Sequence, residues 1–93
     1  MKKESPERKV SGNPATEEFV LVLLNDDINT FDHVIKALIE VCGHDLCQAE
    51  QCAMITHFKG SCEVKEGDKA FLLSLSREIR ERGMLAKVSH KTQ

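Results

Sequence analysis

Six consecutive apolar residues, Phe19-Val20-Leu21-Val22-Leu23-Leu24, constrain this chain more than any other stretch. The run is short, β-prone and lacks the polar alternation of a half-wet strand. It reads as a strand covered on both faces or central in its sheet. At 93 residues the chain is one domain by length, so the strand's partners and its covering helices must come from the same short sequence. A domain of this size buries roughly 60–65% of its unfolded surface. With no Trp, no Tyr and only 4 Phe, aliphatic side chains must build the core.

Beyond the run, the hydrophobic period changes from strand to helix. Val34, Leu38 and Val41, with Ile35, Ile39 and Cys42, form an apolar stripe at i, i+4 and i+7. Thr30 is the expected N-cap, Asp32 lies in the first turn and Gly43 supplies the stop. Asp45-Leu46-Cys47-Gln48 has the form of a capping box and opens a second helix carrying Ala49, Cys52, Ala53 and Ile55, ending near His57-Phe58. Cys62 to Lys65 alternates as a short strand with one wet face, and Glu66-Gly67-Asp68 is read as a turn. A third helix carries Phe71, Leu72, Leu75 and Ile79 inward and ends at Gly83, and Leu85 to Val88 forms the last strand. The predicted class is α+β, a β-α-α-β-α-β sandwich of three helices on a three-stranded, mostly antiparallel sheet. Residues 1–18 mix Lys, Glu, Ser, Pro and Gly with almost nothing apolar and read as a flexible N-terminal extension to a domain over 19–93.

Composition removes several classes of function. A net charge of -2, from 13 basic and 15 acidic residues, opposes nucleic-acid binding, which wants a basic face. No apolar run approaches the ~20 residues of a membrane span, and the N-terminus lacks a signal-peptide core. A cytoplasmic protein is expected. The four cysteines, Cys42, Cys47, Cys52 and Cys62, would suit a disulfide framework only in a secreted chain. His44 and His57 lie nearby, but C-x-H-x2-C-x4-C lacks the paired short spacings of zinc modules. Packed free thiols and no metal or cofactor are the expectation.

The apolar strand ends abruptly in Asn25-Asp26-Asp27. One reading is a turn and helix entrance, where Asn and Asp bond to nearby backbone. The other needs a partner. If the second helix packs beside the first, His57 at its end approaches this corner. An amide oxygen, carboxylates and a neutral imidazole nitrogen are all acceptors, and together they suit a group with three donors and one positive charge, such as a primary ammonium. No nucleophile with a base partner is evident, so binding is favoured over catalysis.

V-L-L-N-D-D at Val22–Asp27, the helix Val34-Ile35-x-x-Leu38, and A-x-x-x-H-[FY]-x-G from Ala53 to Gly60 resemble the ClpS family. These are adaptors of the Clp ATP-dependent protease that recognise N-degrons. The resemblance covers roughly Phe19 to Val88 and implies an adaptor that hands the free N-terminus of a substrate protein to a Clp AAA+ unfoldase of ClpA or ClpC type. By position it implies that Asn25, Asp26, Asp27 and His57 surround the substrate's α-ammonium. Asn29, Phe31, Val34, Ala53 and Thr56 fall where the family lines the pocket for the first side chain. Glu66 and Lys69 are the candidate contacts to the unfoldase, which the N-terminal extension also engages in the family. The chain departs from the family's usual Thr at Asn29, Pro at Thr30, and Met at Phe31 and Ala53. Two other functions share the predicted fold or its residues: an interaction domain resembling the ribosomal stalk protein's C-terminal domain, and a Cys/His metal or thiol sensor.

Overall fold

The structure, a computed structural model, describes residues 18–91. The expected extension over residues 1–18 lies outside these apart from Glu18. Element order is β1 (Phe19–Leu24), α1 (Phe31–Cys42), α2 (Leu46–Lys59), β2 (Ser61–Gly67), α3 (Lys69–Glu81) and β3 (Leu85–His90). The three strands form one sheet in the order β2-β1-β3, antiparallel throughout. The six-residue apolar run is therefore the central strand, paired along both edges. Val20, Leu21, Val22 and Leu23 are all buried, which explains why the run does not alternate.

The helices cover the face that carries Leu21 and Leu23. From the sheet the core takes these two with Val64 and Ala86, and from the helices chiefly Leu38, Val41, Leu72 and Ile79. Each helix starts on a side-chain cap: Thr30 accepts from His33 N and Asp45 from Gln48 N, as the sequence indicates, and Asp68 from Phe71 N. Gly43 and Gly60 close α1 and α2 in the left-handed conformation at φ 74° and 94°, where a Cβ would be strained.

Several expectations need correction. Glu66 and Gly67 do not turn the chain; they extend β2 by pairing with Val20 and Phe19, and the reversal falls on Asp68, the cap of α3. The last strand runs past Val88 to His90, which pairs with Phe19. Phe71 is not inward but 44% exposed, with its ring laid across Gly67, where an added Cβ would stand 3.1 Å from it. Ile55 is 41% exposed because the buried line of α2 runs Ala49, Cys52, Ala53, Thr56. Ile39 likewise sits at the margin of the α1 stripe.

Candidate functional site

The site is built where β1 ends. Asn25 N donates to Gly60 O at 3.0 Å, which ties the end of the strand to the turn closing α2. Asn25 and His57, thirty-two positions apart, are thus held at the same end of the molecule. Asp26 then folds the chain back on itself. Its Oδ1 accepts from Ile28 N at 2.8 Å and Asn29 N at 2.9 Å, and its Oδ2 accepts from Asn29 Nδ2 at 2.8 Å. The turn delivers the chain to Thr30 and the first turn of α1, bringing Phe31 and Val34 alongside.

The turn reading of the acidic corner holds for Asp26. Asp26 is the organiser of the turn. Burial alone would raise its carboxyl, but the donors from Asn29 and Ile28, helped by the His33 charge, outweigh it and hold the group below the usual carboxylate range. The side chains of Asn25, Asp27 and His57 make no hydrogen bond among the described residues. They are exposed acceptors at one end of the fold. The His57 imidazole is held by two edge-on rings, Phe31 at 5.2 Å and Phe58 at 4.9 Å between centroids.

These groups rim a single cavity of about 310 Å³. All nine residues expected at the ammonium site and the side-chain pocket line it: Asn25, Asp26, Asp27 and His57 with Asn29, Phe31, Val34, Ala53 and Thr56. Ala53 and Thr56 are buried, and the Thr56 hydroxyl donates to Cys52 O at 2.8 Å, leaving it only acceptor capacity. Four lining residues escaped the sequence reading: Leu23, Leu24, Thr30 and Met84. Leu23 and Leu24 end the apolar run and could have been found as its last members. Nothing local marks Met84, which reaches the cavity because β3 pairs beside β1 from Leu85↔Leu24 onward.

Glu66 and Lys69 are not part of this assembly. Glu66 pairs opposite Val20 and bonds Lys91 Nζ at 3.0 Å, while Lys69 Nζ lies 6.0 Å from the Phe19 ring. Both belong to the opposite end of β1, about 15 Å away at some 3.3 Å per strand residue.

The cysteines are free and dispersed in environment: Cys42 and Cys52 buried, Cys62 half-buried, Cys47 exposed. Burial pushes the Cys42 thiol up to about 11, and burial with the neighbouring Cys52 thiol pushes Cys62 up to about 12. Such groups pack as small hydrophobes rather than act as nucleophiles at neutral pH. His44 is buried and committed elsewhere, its Nε2 donating at 2.7 Å to Val64 O, the carbonyl of the extra residue where β2 bulges opposite Leu21 and Val22. Among the described residues no three His, Cys, Asp or Glu side chains converge as a metal ion would require.

The sequence profile of the family described as ATP-dependent Clp protease adaptor protein ClpS matches residues 14–87. The chain belongs to the ClpS family. No curated protein sequence matches it significantly. Among solved structures, ClpS2 of Agrobacterium tumefaciens bound to L-phenylalaninamide superimposes with a TM-score of 0.78 at 18% identity, covering 82% of this chain and 99% of that one. At that identity the likeness concerns the fold, and the ClpS fold has the element order and three-stranded sheet described above. No helix among the described residues is long and apolar enough to cross a membrane.

Proposed function

We propose that this ClpS-family chain is a cytoplasmic N-degron adaptor. It binds the free α-amino group and the bulky apolar first side chain of a substrate protein and delivers that protein to a Clp AAA+ unfoldase. The observation that carries the reading is one cavity with two chemistries: an acceptor rim of Asn25, Asp27 and His57, and an apolar wall that includes Val34, Ala53 and Met84. An α-ammonium offers three N–H donors and a positive charge to the rim. Asp26, with its bonds already spent on the turn, adds charge and one remaining lone pair. The side chain that leaves the same carbon enters the apolar part, where its burial supplies roughly 25 cal/mol per Å². The Agrobacterium protein's ligand, phenylalaninamide, joins the same two features, an amine and a benzyl group, on one carbon.

The chain does no chemistry on its substrate in this reading. Glu66 and Lys69, at the far end of β1, and residues 1–18 are assigned to the unfoldase, so that substrate and unfoldase engage opposite ends of the fold. A fluorescent peptide series that differs only in the first residue tests the adaptor reading. Leu- and Phe-initiated peptides are expected to bind and Gly- and Asp-initiated ones are not. Equal affinity across the series contradicts it.

A further inference from the structure

Asn29 forms two bonds at once that join separate parts of the site. Its side-chain nitrogen donates to Asp26 Oδ2 at 2.8 Å and to Gly83 O at 3.0 Å. Both neighbours are acceptors only, so the amide has one sensible orientation, with nitrogen toward them. Both amide hydrogens are then used. Gly83 is the positive-φ residue (87°) that turns α3 into β3, and it precedes Met84 in the cavity wall. A second bond ties the start of α1 to the same turn, His33 Nε2 to Arg82 O at 2.8 Å.

We propose that Asn29 is a positioning residue of the amine site: it orients the Asp26 carboxylate and clamps the acidic corner to the turn that carries Met84. Recognition of the amino group and of the first side chain are thereby coupled through one amide. The ligand in this inference rests on the proposed function; the clamp itself does not. Donors hold a carboxylate ionised, and Asn29 supplies two of the three bonds that Asp26 accepts, one from its backbone and one from its side chain. The other charged or titratable groups about Asp26 are His33 on α1, Asp27 in the same turn, and His57 of α2 across the cavity.

Asn29→Leu keeps the branched heavy-atom skeleton, with two bulkier methyl groups, and removes both side-chain donors. In the full chain, nuclear magnetic resonance follows the Asp26 carboxyl carbon through a pH titration together with the Gly83 and Met84 amides. The expected result is an Asp26 midpoint above that of the wild type and shifted Gly83 and Met84 signals. Affinity for a free-amine, Phe-initiated peptide should fall about tenfold, the size expected for losing one bond to a charged group. Asn29→Thr serves as the second variant, since one hydroxyl can donate to Asp26 but not to Gly83 as well. It should return the Asp26 midpoint toward wild type and leave the Gly83 and Met84 signals displaced. An unmoved midpoint and unmoved Gly83 and Met84 signals in folded Asn29→Leu overturn the proposal. Should the wild type bind no such peptide while those signals move, the clamp stands and the adaptor reading falls.

Discussion

Ala53 is the smallest side chain in the cavity wall, and under the proposed function its size sets which first residues fit. It is 3% exposed and lies one turn before His57, so a longer side chain there would occupy space next to the ammonium rim. Ala53→Met adds three heavy atoms, about 60–70 Å³, which at about 24 cal/mol per Å³ is some 1.5 kcal/mol of filled space. That volume is a sizeable part of the 310 Å³ available. The wild type is therefore expected to accept Ile- and Val-initiated peptides as well as Leu and Phe, and Ala53→Met to lose the β-branched ones selectively. Competition binding with peptides that vary only at the first position checks this. Unchanged discrimination against Ile and Val in the Met variant would mean that residue 53 does not meet the ligand.

At the scale of elements, what was legible in the sequence is what local chemistry determines. Thr30 and Asp45 cap their helices because a short side-chain acceptor reaches a free N–H two or three residues on, a rule that needs no tertiary knowledge. Asp68, read as part of a turn, caps α3 by the same rule. Asp45→Ala should accordingly cost about 1 kcal/mol of stability in a urea titration. Peptide affinity should not change, because α2 runs some 15 Å or more from this cap to His57 at ~1.5 Å per residue. A parallel loss of binding would show that the cap shapes the site. The strand ends were less legible: Glu66 and Gly67 join β2 only because Val20 and Phe19 offer them partners. The exposure of Ile55 and Phe71 was hidden for a related reason. Helical spacing groups residues into faces, but contact with other elements decides where the buried face ends.

Across the whole molecule, the proposed function puts substrate and unfoldase at opposite ends of the sheet. The cavity residues gather where β1 finishes, since Asn25 bonds the turn after α2 and β3 begins beside Leu24. The acceptor set was visible in the sequence as an acidic corner awaiting a histidine. Met84 was not, because its place depends on pairing sixty positions away, and neither was the Asn29–Gly83 bond. Glu66 and Lys69 lie at the other end, so the charge reversals Glu66→Lys and Lys69→Glu should leave peptide affinity within about twofold, the usual reach of surface changes. The same variants should slow degradation of an N-degron substrate by the unfoldase and its protease. Loss of peptide binding in them would place the two functions on one surface.

The proposed function depends above all on recognition of a free α-ammonium by the rim of the cavity. Calorimetry with one Phe-initiated peptide in two forms, free and N-acetylated, measures this most directly. Acetylation removes the charge and two of the three donors while leaving the side chain intact. Stranded acceptors cost about 1–3 kcal/mol each, so two of them predict at least a thirtyfold or so weaker affinity for the acetylated form. His57→Ala should narrow that gap by weakening the free peptide alone. Equal affinities for the two forms would mean that the rim does not recognise the amino group.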